Sequence, residues 1–126
     1  MLNIGMTGSA DLVVTAADTA AALGSGTVDV LGTPRVVALV EAAAVEAVTR
    51  ALAPGETTVG TRIELDHLRP TAVGRRVVAH AEIAALAGRR VTFNVHATDD
   101  EDVLIARGIH TRAVVDAARF AADATA

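Results

Sequence analysis

Residues 33–52, TPRVVALVEAAAVEAVTRAL, constrain the fold of this chain more than any other stretch. Both ends are marked as those of a helix. Thr33 suits an N-cap, because its hydroxyl can accept a bond from an orphan backbone N–H. Pro34 then falls at the first helical position, where a missing N–H costs nothing. Ala53, Pro54 and Gly55 stop the helix at the far end. At about 100° per residue, Arg35, Glu46, Thr49 and Arg50 gather into one polar stripe. Glu46 and Arg50 are also spaced for an ion pair along that stripe. Glu41 stands apart, among Val37, Ala38, Ala44, Val45 and Val48. A carboxylate in such surroundings is either partnered or chemically employed, since burying it alone is costly. The plain alternative is a glutamate that reaches the helix edge or pairs with a structural arginine.

After this helix the hydrophobic period changes from 3.6 to 2. Residues 57–68 alternate, with Val59, Thr61, Ile63, Leu65 and His67 on one face and Arg62, Glu64 and Asp66 on the other. Residues 75–86, 89–98 and 103–115 read as three further strands. Their turns fall at Pro70 to Gly74, at Ala87-Gly88 and at the acidic run 99–102. Gly108 marks a bulge or bend in the last strand. Before the helix, residues 1–9 read as a loose leader, 10–16 as a short strand and 17–23 as one or two helical turns. Residues 28–31 read as a brief extended piece, and 116–126 as a short helical or frayed tail. The helix is too apolar to lie on a surface. The economical arrangement is α+β, a curved antiparallel sheet wrapped around the helix, which is the hot-dog architecture. Residues 1–126 make one such domain. Its sheet edges predict a homodimer.

Composition narrows the function. Aromatic residues are 2% of the chain, so the core must be built from Val, Ala, Leu and Ile. A net charge of -4 without a basic run argues against a nucleic-acid surface. With no cysteine there is neither a disulfide nor a thiolate nucleophile. No apolar stretch reaches the ~18 uncharged residues of a membrane span. The first ten residues lack the pattern of a signal peptide. A soluble, cytoplasmic protein that does not engage membranes is expected.

His67 ends the strand face that carries Ile63 and Leu65, directed at the helix surface bearing Glu41 in the same subunit or in a partner. A carboxylate and an imidazole at a partly buried site form an acid–base pair, and a satisfied core histidine is the alternative. The Thr33 hydroxyl, explained by capping alone, also lies beside the free N–H groups of a helix start, where an oxyanion or carbonyl oxygen can be held. Gly60 weakens a strand interior, through either close ligand approach or a bulge. Arg112 shares a side of the last strand with His110, as an anion-binding group or a sheet-surface charge. His80, His96 and His110 sit on three successive strands and read as a solvated or interfacial row. No ligand spacing supports a metal site.

Taken in order, the helix with Thr33 and Glu41, then PGETTVGTRIELDHLRPT, GRRVTFNVHATD and GIHTRAVVDAARF, resembles the hot-dog thioesterases of the fluoroacetyl-CoA thioesterase type. The resemblance covers residues 10–120. It implies a catalytic triad of Thr33, Glu41 and His67, with Gly60 and Arg112 as substrate-binding positions. The implied reaction is hydrolysis of an acyl-CoA thioester, with no cofactor beyond the CoA of the substrate. Glu41 would be the nucleophile or the base for water, and His67 the proton shuttle. Thr33 and the Gly60 N–H would position the thioester, and Arg112 would hold the acyl or CoA end. The family's fluoroacetyl-specific member has a longer aromatic segment before the helix, whereas TAADTAAALGSGTVDVLG here has no aromatic residue. An acyl group other than fluoroacetyl is therefore expected. Two other functions compete: a non-catalytic module that binds acyl thioesters or CoA, and a hot-dog hydratase or dehydratase.

Overall fold

Each periodic stretch folds as its period requires. The structure, a computed structural model, describes residues 1–125. Strand β1 (Thr7–Val13) leads through a 3-10 turn at Ala16–Asp18 to one helical turn, α1 (Ala20–Leu23). The long helix α2 (Thr33–Val48) runs on into a 3-10 turn at Thr49–Ala51. Strands β2 (Glu56–His67), β3 (Arg76–Ala87), β4 (Arg90–Asp99) and β5 (Leu104–Asp116) follow, then the short helix α3 (Ala117–Asp123). The tail expected over 116–126 is thus mostly this helix, and Ala126 lies outside the described residues. The five strands form one antiparallel sheet in the order β1-β3-β4-β5-β2, curled around α2. That is the hot-dog arrangement, and it leaves β1 and β2 as the edges.

The core forms where α2 lies in the sheet's concave face. Val36, Leu39, Val40, Ala43 and Val48 are buried against inward rows that include Ala79 and Ile83 of β3 and Phe93 and Val95 of β4. Phe93 is fully buried, whereas Phe120, the chain's other phenylalanine, is 48% exposed. Alanine and glycine bring the backbones close. A Cβ built on Gly8 of β1 would overlap the Ala43 carbonyl oxygen and the Ala47 backbone nitrogen of α2.

The structure corrects several expectations. Residues 1–9 are not a loose leader. Gly5 N donates to Ile83 O and Ile83 N to Met6 O, both at 2.9 Å, and pairing with β3 begins at Thr7. The strand stops at Val13, because the Asp18 carboxylate takes the Thr15 N–H and turns the chain. The helix is covered on one face only: Ala38, Ala42 and Val45 are exposed along the other. Glu46 and Arg50 form no ion pair, because α2 ends at Val48 and the 3-10 turn breaks the four-residue spacing. Gly108 is no bulge. It pairs in register with Leu65 and Val95, on a site where a Cβ would strike the Glu64 carbonyl.

The register shift in β5 lies earlier, at Ile105, another falls in β3 between Ile83 and Ala85, and the one that shapes the site is in β2, between Gly60 and Arg62. It reverses the alternation, so the inward residues are Thr58 and Gly60 before it and Ile63, Leu65 and His67 after it. Val59 and Thr61 therefore do not share the face of His67.

Gly8 offers a direct test of how closely α2 is seated. Gly8→Ala forces helix and strand apart and is expected to lower stability by roughly 1–3 kcal/mol, measured by urea denaturation.

Candidate active site

The two ends of the site are set by two turns of α2. At its start the N-cap is Gly32, in extended backbone and without a side-chain cap. Thr33 is therefore the first helical residue, not the cap, and its hydroxyl is free for another partner. Its Oγ1 lies 2.8 Å from Nδ1 of His67, the last residue of β2.

The segment before the helix is tied down by Asp18. This carboxylate accepts from the Thr15 N–H at 2.8 Å, from the Thr15 hydroxyl at 2.9 Å and from Arg35 Nε at 3.2 Å. The Thr15 N–H is the main reason its carboxyl stays below the usual range, against the opposing effect of burial. The Asp18 carbonyl in turn accepts from Gly32 N at 2.9 Å, and Leu31 N donates to Thr71 O at 2.9 Å. Thr33 and His67 face a cleft of about 300 Å³ whose walls include Val28, Val30 and Leu31. Burial pushes the His67 pKa down, against a smaller opposing effect of the nearby Arg69 backbone, so the ring is neutral near pH 7. Its Nε2 is buried without a protein partner.

Eight residues further along α2, about 12 Å at 1.5 Å per residue, stands Glu41. Its Oε2 is 3.1 Å from Arg112 Nη1 and 3.9 Å from His110 Nε2. Arg112 is 6% exposed, and it donates from Nε to Thr58 Oγ1 at 2.9 Å and from Nη2 to Thr58 O at 3.0 Å. A buried guanidinium needs such partners, because desolvation of an unpaired charge is severe. Glu41 is open on its other side. Its side chain is 38% exposed and borders a cleft of about 310 Å³ together with Gly60, Thr61 and Ile63. The absence of a side chain at Gly60 leaves the carboxylate its place, since a Cβ there would stand 2.6 Å from Glu41 Oε2 and push it aside.

The structure thus gathers Glu41, Gly60 and Arg112 into one group and joins Thr33 to His67 in another. Sequence reasoning missed two members. Thr58 was hidden by the bulge, which inverts the apparent phase of β2. His110 belongs to no outer row. It is 2% exposed and faces inward with Arg112, while His80 and His96 stack outside with ring centroids 4.9 Å apart. The parity of His110 with the buried Ala106 and Val114 was the available signal.

With this geometry in view, comparison with known proteins is informative. The family model described as fluoroacetyl-CoA-specific thioesterase matches residues 14–118. The fluoroacetyl-CoA thioesterase of Streptantibioticus cattleyicolor is 38% identical over 92 residues. That stretch is 73% of this chain and 66% of the relative, just under two thirds of its length. A solved structure of a fluoroacetyl-CoA thioesterase superposes with a TM-score of 0.92 at 32% identity, covering 99% of this chain and 96% of the other. A Thermus thermophilus hypothetical protein, a thioesterase superfamily member, superposes with a TM-score of 0.89 at 27% identity, over 97% of this chain and 90% of that one.

Three histidines with lowered pKa values, His110 buried, His67 half-buried and His96 exposed but stacked on His80, give stability a pH signature. Burial is the main cause that lowers the pKa of His67, of His96 and of His110. Below the ordinary value of about 6.5, the unfolded chain binds protons that these folded rings refuse. Stability is therefore full above that pH and declines as pH falls from it towards the depressed values. Urea midpoints at pH 7.5 and pH 5 are expected to show this drop, and His110→Gln to reduce it.

Proposed function

Because the chain belongs to the fluoroacetyl-CoA-specific thioesterase family, we propose that it hydrolyses acyl-CoA thioesters through Thr33, Glu41 and His67. The observation that carries this reading is the Thr33–His67 hydrogen bond of 2.8 Å, made by a threonine that caps nothing. Glu41, half-buried beside Gly60, supplies the carboxylate.

The active unit is a homodimer whose site is shared. Three observations support this. Thr33 and Glu41 face different clefts of one chain. Strand β2 is a sheet edge, and an edge invites pairing with a second copy. The uncovered stripe of Ala38, Ala42 and Val45 runs along the same helix as Glu41. Each site then combines Glu41 of one subunit with Thr33 and His67 of the other.

In this site the Thr33 hydroxyl positions the thioester, and the bare backbone at Gly60 lets the acyl carbon approach Glu41. Glu41 takes a proton from water as the water oxygen adds to the carbonyl carbon. The C–S bond breaks as the Glu41 carboxyl hands its proton to His67, which delivers it to the departing CoA thiolate, leaving Glu41 ionised and His67 neutral again. Direct attack by Glu41, through a mixed anhydride that water then opens, uses the same placement. The reaction needs no metal or further cofactor, since CoA enters with the substrate. Among the described residues no helix is long and apolar enough to cross a membrane, and the proposed setting is the cytoplasm. Fluoroacetyl-CoA is the substrate named for the relatives. Here Val28, Val30 and Leu31 give the Thr33 cleft aliphatic walls, which suit a plain acyl chain.

Free-thiol release from acyl-CoAs of increasing chain length tests the activity. Glu41→Gln and His67→Ala are each expected to lower kcat by roughly 100-fold or more. The shared site makes a sharper forecast. When these two inactive variants are mixed and allowed to exchange subunits, about a quarter of wild-type activity returns, one intact site in each mixed dimer. No return would place the whole site within one chain, and binding of CoA thioesters without turnover by the wild type would make the protein a binding module.

A further inference from the structure

His110 has no part in the reaction proposed above, yet its surroundings dictate its state. Its Nδ1 is 2.8 Å from the Arg62 carbonyl, which can only accept, so Nδ1 carries the proton. Its Nε2 is 3.0 Å from Arg112 Nη1, which can only donate, so Nε2 is bare. The ring is therefore neutral, in a single tautomer, and stacked against Phe93 at a centroid distance of 6.2 Å.

Arg112 is held as fully. Nε and Nη2 donate to Thr58, and Nη1 donates to both Glu41 and His110. Four of the five N–H groups of a guanidinium are engaged, so no fork remains for an acyl or CoA anion. Only Nη1 of Arg112 meets Glu41, and His110 and Thr58 hold it in that position. His110 borders the same cleft as Glu41 but is 2% exposed, and both of its ring nitrogens are engaged within the protein, so neither is free for substrate.

We propose that His110 is a positioning residue for thioester hydrolysis: as the neutral Nδ1–H ring it clamps Arg112, and through Arg112 it fixes the Glu41 carboxylate where the acyl carbon arrives. This rests on the thioesterase reading. It also makes the site sensitive to acid. A proton on Nε2 would set N–H against N–H across 3.0 Å and drive Arg112 away, leaving Glu41 to pair with the imidazolium instead. The charged groups that face the ring are Glu41 from α2 and Arg112 from β5. From β2 comes only the Arg62 carbonyl, as the Arg62 guanidinium pairs with Glu64, and Phe93 of β4 carries no charge. Burial holds the ring neutral to below the ordinary histidine range, opposed by the hydrogen bond to the Arg62 carbonyl and by Glu41, with Arg112 adding to the effect of burial.

Two measurements on the full chain decide the matter. In 15N-histidine protein at pH 7.5, long-range proton–nitrogen spectra are expected to show one ring protonated at Nδ1 and bare at Nε2. Its signals vanish in His110→Gln. A ring protonated at Nε2, or at both nitrogens, overturns the proposal without reference to any substrate. For kinetics the probes are acetyl-CoA and hexanoyl-CoA. His110→Phe keeps the ring shape but neither hydrogen bond, and is expected to lower kcat by about 10- to 100-fold with KM nearly unchanged. His110→Gln, which offers both a donor and an acceptor, recovers part of the rate. The acid limb of kcat is expected to be steeper in the wild type, where protonation of His110 adds to that of His67, than in His110→Gln, which lacks the second ring. Native kcat in His110→Phe, a change in KM alone, or an unaltered acid limb in His110→Gln each sinks the idea. If His110→Phe does not fold, the spectra and the His110→Gln profile decide. A wild type that turns over no acyl-CoA defeats the thioesterase reading itself, a result distinct from a wild type that works and a His110→Phe that works equally well.

Discussion

The backbone contact between β1 and α2 at Gly8 sets the depth at which the helix lies in the sheet. A core with one buried phenylalanine and no tryptophan or tyrosine has little bulk to hold its layers apart. Alanine and glycine let them close until backbone meets backbone. Dense packing of this kind is stiff. The helix becomes a ruler of fixed position, with Thr33 and Glu41 as two marks on it. Any movement of α2 shifts both marks against β2 and β5, which carry the groups those residues address.

On this rigid frame sits a polar cluster that an aliphatic core would not tolerate unpaired. Arg112 lies among β5 residues whose neighbours of the same parity are buried, and it is stable there because Thr58, His110 and Glu41 together meet its donors. The arrangement has an asymmetry with functional meaning. The cation is sealed while its carboxylate partner remains open on one side to the cleft. An interior charge thereby reaches the reaction site through a single carboxylate.

Much of this was legible in the residues. The marked ends of α2, the misplaced Glu41 and the four alternating runs define the fold, because each is a local consequence of period and capping. The pairing of His67 with the helix was legible from strand parity. Three things were not. Thr33 looked like a cap because a hydroxyl before a proline is the usual signal, and nothing local reveals that Gly32 occupies that position. The inward turn of His110 was obscured because two outward histidines on the two preceding strands suggested a row. The phase of β2 ahead of Arg62 was misread because a bulge adds a residue that no side chain announces. Each failure concerns a relation between elements rather than a property of one.

The bulge also has a meaning for chain length. Because side chains alternate with a period of two, the extra residue near Gly60 is what allows Gly60 and His67 to face the same way although seven positions apart. A deletion of one residue there would straighten the ladder and turn either Thr58 and Gly60, or Ile63, Leu65 and His67, out of the interior. A chain that lost Thr61 would keep every site residue and lose the site. In this fold the spacing between the motifs carries as much chemical information as the motifs themselves.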